Sequence, residues 1–192
     1  MDTNIRNEPA RIDPRMALRR HTSAEEIAFT TGQSSLGTVL VARSARGICA
    51  ILIGSAAEEL AADLAAQFPN GTLVRDDRCL DGDREKILRF IEAPAQGLDL
   101  DLDVRGTPFQ RRVWDALCAI PAGRTVTYAA LARRIGEPGS ARAVANACAA
   151  NAIALAIPCH RVMRSDGTPS GYRWGIERQR ALVAREARLN RP

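Results

Sequence analysis

Ile153-Ala154-Leu155-Ala156-Ile157-Pro158-Cys159-His160-Arg161-Val162 is the stretch around which the chain is organised. The apolar run 153–157 is too short for a helix of its own, so a buried strand is expected there. Pro158 ends it, because proline fixes φ and donates no ladder hydrogen bond. Cys159 then sits where a buried strand turns, with a titratable histidine beside it. The thiolate is the nucleophilic form of cysteine, and a neighbouring His or Arg lowers its pKa. On position alone a reactive thiol and an inert core cysteine both remain open.

Downstream, a helix is expected over 177–189. Glu186 falls four residues after Leu182 and three after Val183, which puts an acid on the apolar stripe rather than the solvent face. An acid there needs a partner; His160 or an arginine would serve. Upstream, Thr127 is placed to cap a helix over 128–135 that turns Leu131 and Ile135 inward, with Gly136 as terminator. After Glu137-Pro138-Gly139, Ser140 is expected to cap a second helix from Ala141 to about Ala150. Two short helices around such a turn form a helix-turn-helix pattern, which a plain helical hairpin shares. The second helix is nearly all alanine, able to lie close to another surface, and Arg142 is one of its few long side chains.

The preceding half reads as scaffold. Thr38–Arg43 and Arg46–Ile53 are β-type runs joined by a short turn, a hairpin. Ser55 with Glu58 has capping-box spacing, Leu60, Leu64 and Phe68 make a buried stripe, and Pro69-Asn70-Gly71 stops that helix. A further helix is expected over 83–92, burying Ile87, Leu88 and Ile91. Leu98-Asp99-Leu100-Asp101-Leu102-Asp103-Val104 alternates, which predicts an extended segment with one apolar face. Thr107-Pro108 starts a helix with Phe109, Val113 and Leu117 inward and Trp114 in the core. Residues 1–33 lack periodicity and are expected to be a mobile arm or linker remnant, with ordering against the body as the alternative and His21 at the surface.

Charge divides the chain at the alternating segment. Residues 1–103 carry 12 basic and 17 acidic side chains, residues 104–192 carry 15 and 5, so an acidic half precedes a basic, nucleic-acid-facing one. The expected organisation is an arm over 1–33, a small α/β domain over 34–104 and a mostly α domain over 105–192. The cysteines Cys49, Cys79, Cys118, Cys148 and Cys159 are odd in number with no C-x-x-C pair, and the histidines are His21 and His160 alone. A zinc site is not expected from that inventory. With no membrane-length apolar run and no signal-peptide core, a reduced cytoplasmic protein is expected.

Pro158-Cys159-His160-Arg161-Val162, with Asn151 eight residues before the cysteine, resembles the active site of the O6-alkylguanine-DNA alkyltransferases, the methylated-DNA–protein-cysteine methyltransferases. The resemblance runs from about Thr38 to Ala187. Arg46–Leu52 and Ser170-Gly171-Tyr172-Arg173-Trp174-Gly175 are similar to the C-terminal half of the bacterial Ada proteins in particular. It implies a ribonuclease-H-like α/β domain followed by a mostly α domain with a helix-turn-helix. It also implies stoichiometric transfer of an alkyl group from O6-alkylguanine, and from O4-methylthymine, in double-stranded DNA to Cys159. In that reading His160 activates the thiol, Glu186 orients His160, Asn151 is the hinge and Tyr172 hydrogen-bonds the departing oxygen. The second helix enters the minor groove, where Ser140 and Ala141 meet DNA, Arg142 replaces the flipped nucleotide and Tyr128 displaces its phosphate. Neither cofactor nor metal is implied, and a monomer is expected. Many family members have Gly-Tyr-Ser-Gly where this chain has Gly171-Tyr172-Arg173-Trp174-Gly175, a bulkier pocket rim. Other readings are a non-catalytic lesion binder, a class with Trp at the position of Cys159, a cysteine hydrolase, and a transcriptional regulator, for which residues 1–33 offer no matching cysteine cluster.

Overall fold

The computed structural model describes residues 24–169 and 171–190; the expectations for residues 1–23, His21 among them, lie outside the described residues. The predicted hairpin is present as β2 (Gly37–Ser44) and β3 (Gly47–Gly54), paired antiparallel with Ser44 opposite Gly47. Gly47 is required at this turn: its φ is +145°, and a Cβ there would stand 2.6 Å from the Asp101 carbonyl oxygen.

Two strands escaped the sequence reading. β1 (Glu25–Ser34) pairs antiparallel with β2 and parallel with β4 (Gly71–Arg75), so the sheet order is β3-β2-β1-β4. The expected arm over 1–33 is therefore wrong from Glu25 onward. Its strand character is masked because Thr30, fully buried, stands where an apolar residue would announce the core. The Thr30 hydroxyl is satisfied by donating to Asp77 Oδ1 at 2.6 Å.

α1 (Ala57–Gln67) and α2 (Asp81–Glu92) pack against the sheet. Leu60 and Leu64 are buried as expected, and Ile87 and Ile91 likewise. The capping box at Ser55 does not form: the N-cap is Ala56, with no side-chain cap. Ser55 instead gives its carbonyl to the Thr38 hydroxyl at 3.3 Å. α2 begins at Asp81, two residues earlier than expected, and Phe90 joins its buried face while Leu88 is only partly covered.

The alternating segment runs extended along the outer edge of β3, where Ile48 N donates to Asp101 O at 2.7 Å and Asp103 N to Ile48 O at 2.8 Å. Leu98, Leu100 and Leu102 are half-buried against the core. Asp103, on the supposedly polar face, is buried as well. It accepts from Ser44 Oγ at 2.7 Å and Arg105 Nε at 2.8 Å and pairs with Arg46 at 3.0 Å.

Helices dominate from Pro108. α3 (Pro108–Cys118) has the full capping box, Gln110 N to Thr107 Oγ1 at 3.2 Å and Thr107 N to Gln110 Oε1 at 2.8 Å. Trp114 is core, and its Nε1 donates to Ala147 O at 2.9 Å. After β5 (Val126–Thr127), α4 (Tyr128–Arg134) is capped by Thr127 Oγ1, which accepts from Ala130 N at 3.1 Å. α5 (Ala141–Ala149) follows the turn with Ser140 at its N-cap position. The Ser140 side chain makes no cap bond, contrary to expectation; its backbone N donates to Glu137 O at 2.9 Å. β6 (Val162–Met163) pairs parallel with β5, and α6 (Ile176–Ala187) continues as a 3-10 turn over Arg188–Asn190. The chain is thus an N-terminal sheet part followed by a helical C-terminal part, with one cluster of buried residues running through both.

A second hook joins the parts: Ile51 N donates to Ala152 O at 2.9 Å and Ala154 N to Ile51 O at 3.0 Å. The outer edge of β3 is therefore covered at Ile48 and Ile51, and the segment carrying Cys159 hangs from it. Because Asp103 gathers charge-assisted bonds out of water, Asp103→Ala should cost roughly 1.5–3 kcal/mol. Asp101, whose side chain is 89% exposed, should tolerate the same change without measurable loss. Urea unfolding of both variants checks this, and equal stabilities would refute it.

Candidate active site

The expected strand over 153–157 is only a single bridge, Ile153 to Ile51, followed by a tight turn. Leu155 takes φ +69°, and Ile157 N folds back to Ile153 O at 3.1 Å. An apolar run looks the same whether it extends or coils; here small Ala154 and Ala156 leave room for the turn. The left-handed position costs roughly 1–2 kcal/mol for a leucine, offset by burying Leu155 and Ile157, each at 2% exposure. Pro158 then leads into a 3-10 turn, Cys159–Arg161, with all three side chains buried.

Asn151, fully buried, follows α5 and braces the turn from inside. Its Nδ2 donates to Ile157 O at 2.9 Å and to Cys159 Sγ at 3.3 Å, while its Oδ1 accepts from Ile153 N at 2.9 Å. One amide thus holds both ends of the turn and the sulfur.

On the other side of the 3-10 turn lies Glu186, delivered by α6 at 1% exposure. Its carboxylate meets His160 Nε2 at 2.9 Å, Arg161 Nε and Nη2 at 2.9 Å each, and Gly123 N at 3.1 Å. Arg161 also donates through Nη1 to Ile120 O. Gln179, two turns up the same helix face, donates to His160 O at 3.2 Å and Val162 O at 2.9 Å. The structure thus brings together Cys159 with Asn151, and His160 with Glu186. It does not bring the imidazole into hydrogen-bond contact with the sulfur: His160 Nδ1 is buried with no partner.

Burial pushes the Cys159 thiol up to about 11, against the Asn151 hydrogen bond that favours the thiolate. The resting group is the thiol, so adjacency to His160 alone does not activate it. Burial holds His160 below the usual imidazole range, opposed by Glu186. Burial would raise Glu186, but its bonds to His160 and Arg161 prevail and bring it to about 2.

Tyr172 is buried, edge-on to Trp174 with ring centroids 5.2 Å apart, and its hydroxyl has no partner. Burial raises it well above the ordinary phenol range. A cavity of about 20 Å³, the room of a single water, joins Tyr172, Cys159, Tyr128, Cys148 and Arg173. Arg142 lies exposed near the start of α5, with Ser140 and Ala141 half-buried beside it. Among the described residues no group of three or more His, Cys, Asp or Glu is placed to hold a metal ion.

Sequence reading missed Arg161 and Gln179 as parts of this site. Gln179 was findable, because Gln179, Leu182 and Glu186 share the stripe that singled out the glutamate. Arg161 was not, since a lone arginine after a histidine reads as surface charge.

In the helical part of the chain, then, a cysteine held by an amide lies beside a buried imidazole–carboxylate pair. Residues 108–188 match the family described as 6-O-methylguanine DNA methyltransferase, DNA binding domain. A methylated-DNA–protein-cysteine methyltransferase of Candida albicans is 35% identical over 168 residues, 82% of this chain and 95% of its own. The bifunctional transcriptional activator/DNA repair enzyme Ada of Escherichia coli is 46% identical over 161 residues, 84% of this chain; the chain spans 46% of that relative's length. The crystal structure of Mycobacterium tuberculosis OGT in complex with DNA is similar with a TM-score of 0.67 and 32% identity, covering 85% of this chain and 93% of that one. The chain belongs to the methylated-DNA–protein-cysteine methyltransferase family.

The Glu186 geometry carries a pH signature. A folded-state pKa near 2 against an ordinary 4.5 means that its stabilising contribution is complete above about pH 4.5 and lost as pH falls through about 2. Glu186→Gln leaves Arg161 buried without its counter-charge and should cost roughly 3–5 kcal/mol at neutral pH. The variant should also lose that part of the acid limb. Urea unfolding across this range would contradict the assignment if wild type and variant ran parallel.

Proposed function

We propose that this chain repairs DNA by moving the alkyl group of O6-alkylguanine, and of O4-methylthymine, onto its own Cys159, in a single use. The observation that carries this reading is the convergence of Cys159 and Tyr172, whose hydroxyl is unpartnered, on one small cavity. The sulfur attacks the alkyl carbon, the S–C bond forms and the C–O6 bond breaks. The thiol proton passes to His160, whose free Nδ1 is the available lone pair, across a bridging water. Tyr172 hydrogen-bonds the departing oxygen, and the proton finally resides on guanine. Asn151 steadies the sulfur and Glu186 supports the imidazolium as it forms.

The cavity is too small for a purine, so base entry requires the rim, with Arg173 and Tyr128, to move aside. A stacked base must also be extruded, at a cost of roughly a few kcal/mol. We assign the DNA contact to a helix-turn-helix formed by α4 and α5, laid in the minor groove of double-stranded DNA. Support comes from the exposed side of α5: Arg142, Ala143, Asn146, Ala149 and Ala150 are exposed, while Val144, Ala147 and Cys148 face inward. Arg142 takes the place of the extruded nucleotide, Tyr128 displaces its phosphate, and Ser140 and Ala141 flank the backbone. The sheet part is assigned as ribonuclease-H-like scaffold, in the domain division 34–104 and 105–192 with the first boundary moved to the start of β1. A cytoplasmic monomer is the proposed working form; no helix among the described residues is long and apolar enough to cross a membrane.

The test is an intact mass after incubation with a duplex containing O6-methylguanine. One methyl group per chain is expected, mapping to Cys159 alone among the five cysteines. Turnover beyond one equivalent, or a methyl group on Cys148, would overturn the proposal.

A further inference from the structure

Glu186 has four donors, and two come from one side chain. Arg161 Nε binds Oε2 and Nη2 binds Oε1, each at 2.9 Å, so the guanidinium chelates the carboxylate. His160 Nε2 shares Oε1 with Arg161 Nη2. An ionised carboxylate accepts only, so the nitrogen facing it carries hydrogen. The other imidazole nitrogen, Nδ1, is then the bare lone pair, buried and unpartnered.

We propose that Arg161 is a positioning residue for the thiol chemistry: by chelating Glu186 it keeps the carboxylate ionised, which fixes His160 as the neutral imidazole protonated on Nε2 and leaves Nδ1 free for the proton of Cys159. The inference rests on the alkyl-transfer reading for its consequence, but not for its geometry. Without Arg161, the carboxylate would keep only His160 and Gly123 N as donors in a site at 1% exposure. Burial then favours the neutral acid. A protonated Glu186 donates to Nε2, the imidazole proton moves to Nδ1, and the base has no lone pair for the thiol. The carboxylate takes up one proton from solvent, while the ring keeps its own, moved from Nε2 to Nδ1.

The groups facing His160 and this cluster are few. Glu186 comes from α6, Arg161 and the Cys159 thiol from the turn itself, the Tyr172 hydroxyl from the 171–175 segment, and the Cys118 thiol from the end of α3. Two further guanidinium charges act there, Arg173 on Cys159 and Arg178 on Tyr172, and of the three Arg161 is the one bonded to Glu186. It also ties Ile120 O, and Glu186 ties Gly123 N, so the same chelate holds the loop that leads into β5 and α4.

Nitrogen-15 NMR of the imidazole tests this in a His21→Gln background, where His160 is the one remaining histidine. The wild-type ring should be neutral and protonated on Nε2 at neutral pH. Arg161→Met should shift the population toward the Nδ1–H tautomer and slow methyl transfer by roughly ten- to a hundredfold, within what a general base contributes. Binding to methylated duplex should stay unchanged. Arg161→Lys, a point charge without the planar fork, should fall between. A folded Arg161→Met with wild-type tautomer and rate would reduce Arg161 to a structural tie. Should that variant not fold, the wild-type spectrum still decides, because an Nδ1–H ring or an imidazolium at neutral pH overturns the proposal. A chain that never acquires a methyl group on Cys159 sinks the alkyl-transfer reading instead and leaves the tautomer result intact.

Discussion

A carboxylate taken out of water has to be bonded on every side, and in this protein that carboxylate is Glu186. Its donors come from two places in the chain, the 3-10 turn at 159–161 and the loop after α3, while Gln179 ties the same turn to α6 through His160 O and Val162 O. Deleting any one partner would leave charge stranded in a low-dielectric site, at a cost far above that of a surface pair. The cluster therefore sets how α6, α3 and the Cys159 turn lie against one another. The chemistry is built on a joint that the fold cannot relax.

The other half of the joint is mechanical. The segment before Cys159 is hooked to β3 through Ile51, and the segment before α3 is hooked to the same strand through Ile48. The sheet part, which brings no side chain to the Cys159 cavity, thus fixes where that turn can stand. Asn151 completes the restraint with one side chain that bonds Ile153, Ile157 and the sulfur. Burial of Cys159 has a chemical consequence. A thiol that rests protonated is protected from casual electrophiles and reacts when a base takes its proton in the presence of the right substrate.

Much of this was legible in the sequence wherever a local rule had no competitor. The β2–β3 hairpin, the Thr107-Pro108 helix start and the Thr127 cap follow from short-range chemistry and appear as read. Glu186 was found because helical spacing alone places it on the buried stripe. The failures share one cause, tertiary demand on a residue that local rules assign elsewhere. Ser55 has capping spacing, but its carbonyl and hydroxyl serve Thr38 and Arg178. Thr30 and Asp103 are polar and buried, made tolerable by partners 47 and 59 residues away, which hid β1 and put one aspartate of the alternating segment inside. The run 153–157 is apolar enough for a strand, yet β3 offers it one bridge and Asn151 bends the rest. Burial alone called for His160 or an arginine as the partner of Glu186, the family resemblance selected His160, and the structure supplies both.

The central claim is that Cys159 rests as a thiol and owes its reactivity to a base held ready by the Glu186 cluster. Thiolate absorbance in the ultraviolet, recorded against pH for the wild type and for Cys159→Ser, isolates that one group. The difference should show no Cys159 thiolate at neutral pH and should rise only toward about pH 11. A thiolate already formed at neutral pH would mean a standing thiolate–imidazolium pair, and the account of a protonated nucleophile awaiting its base would be wrong.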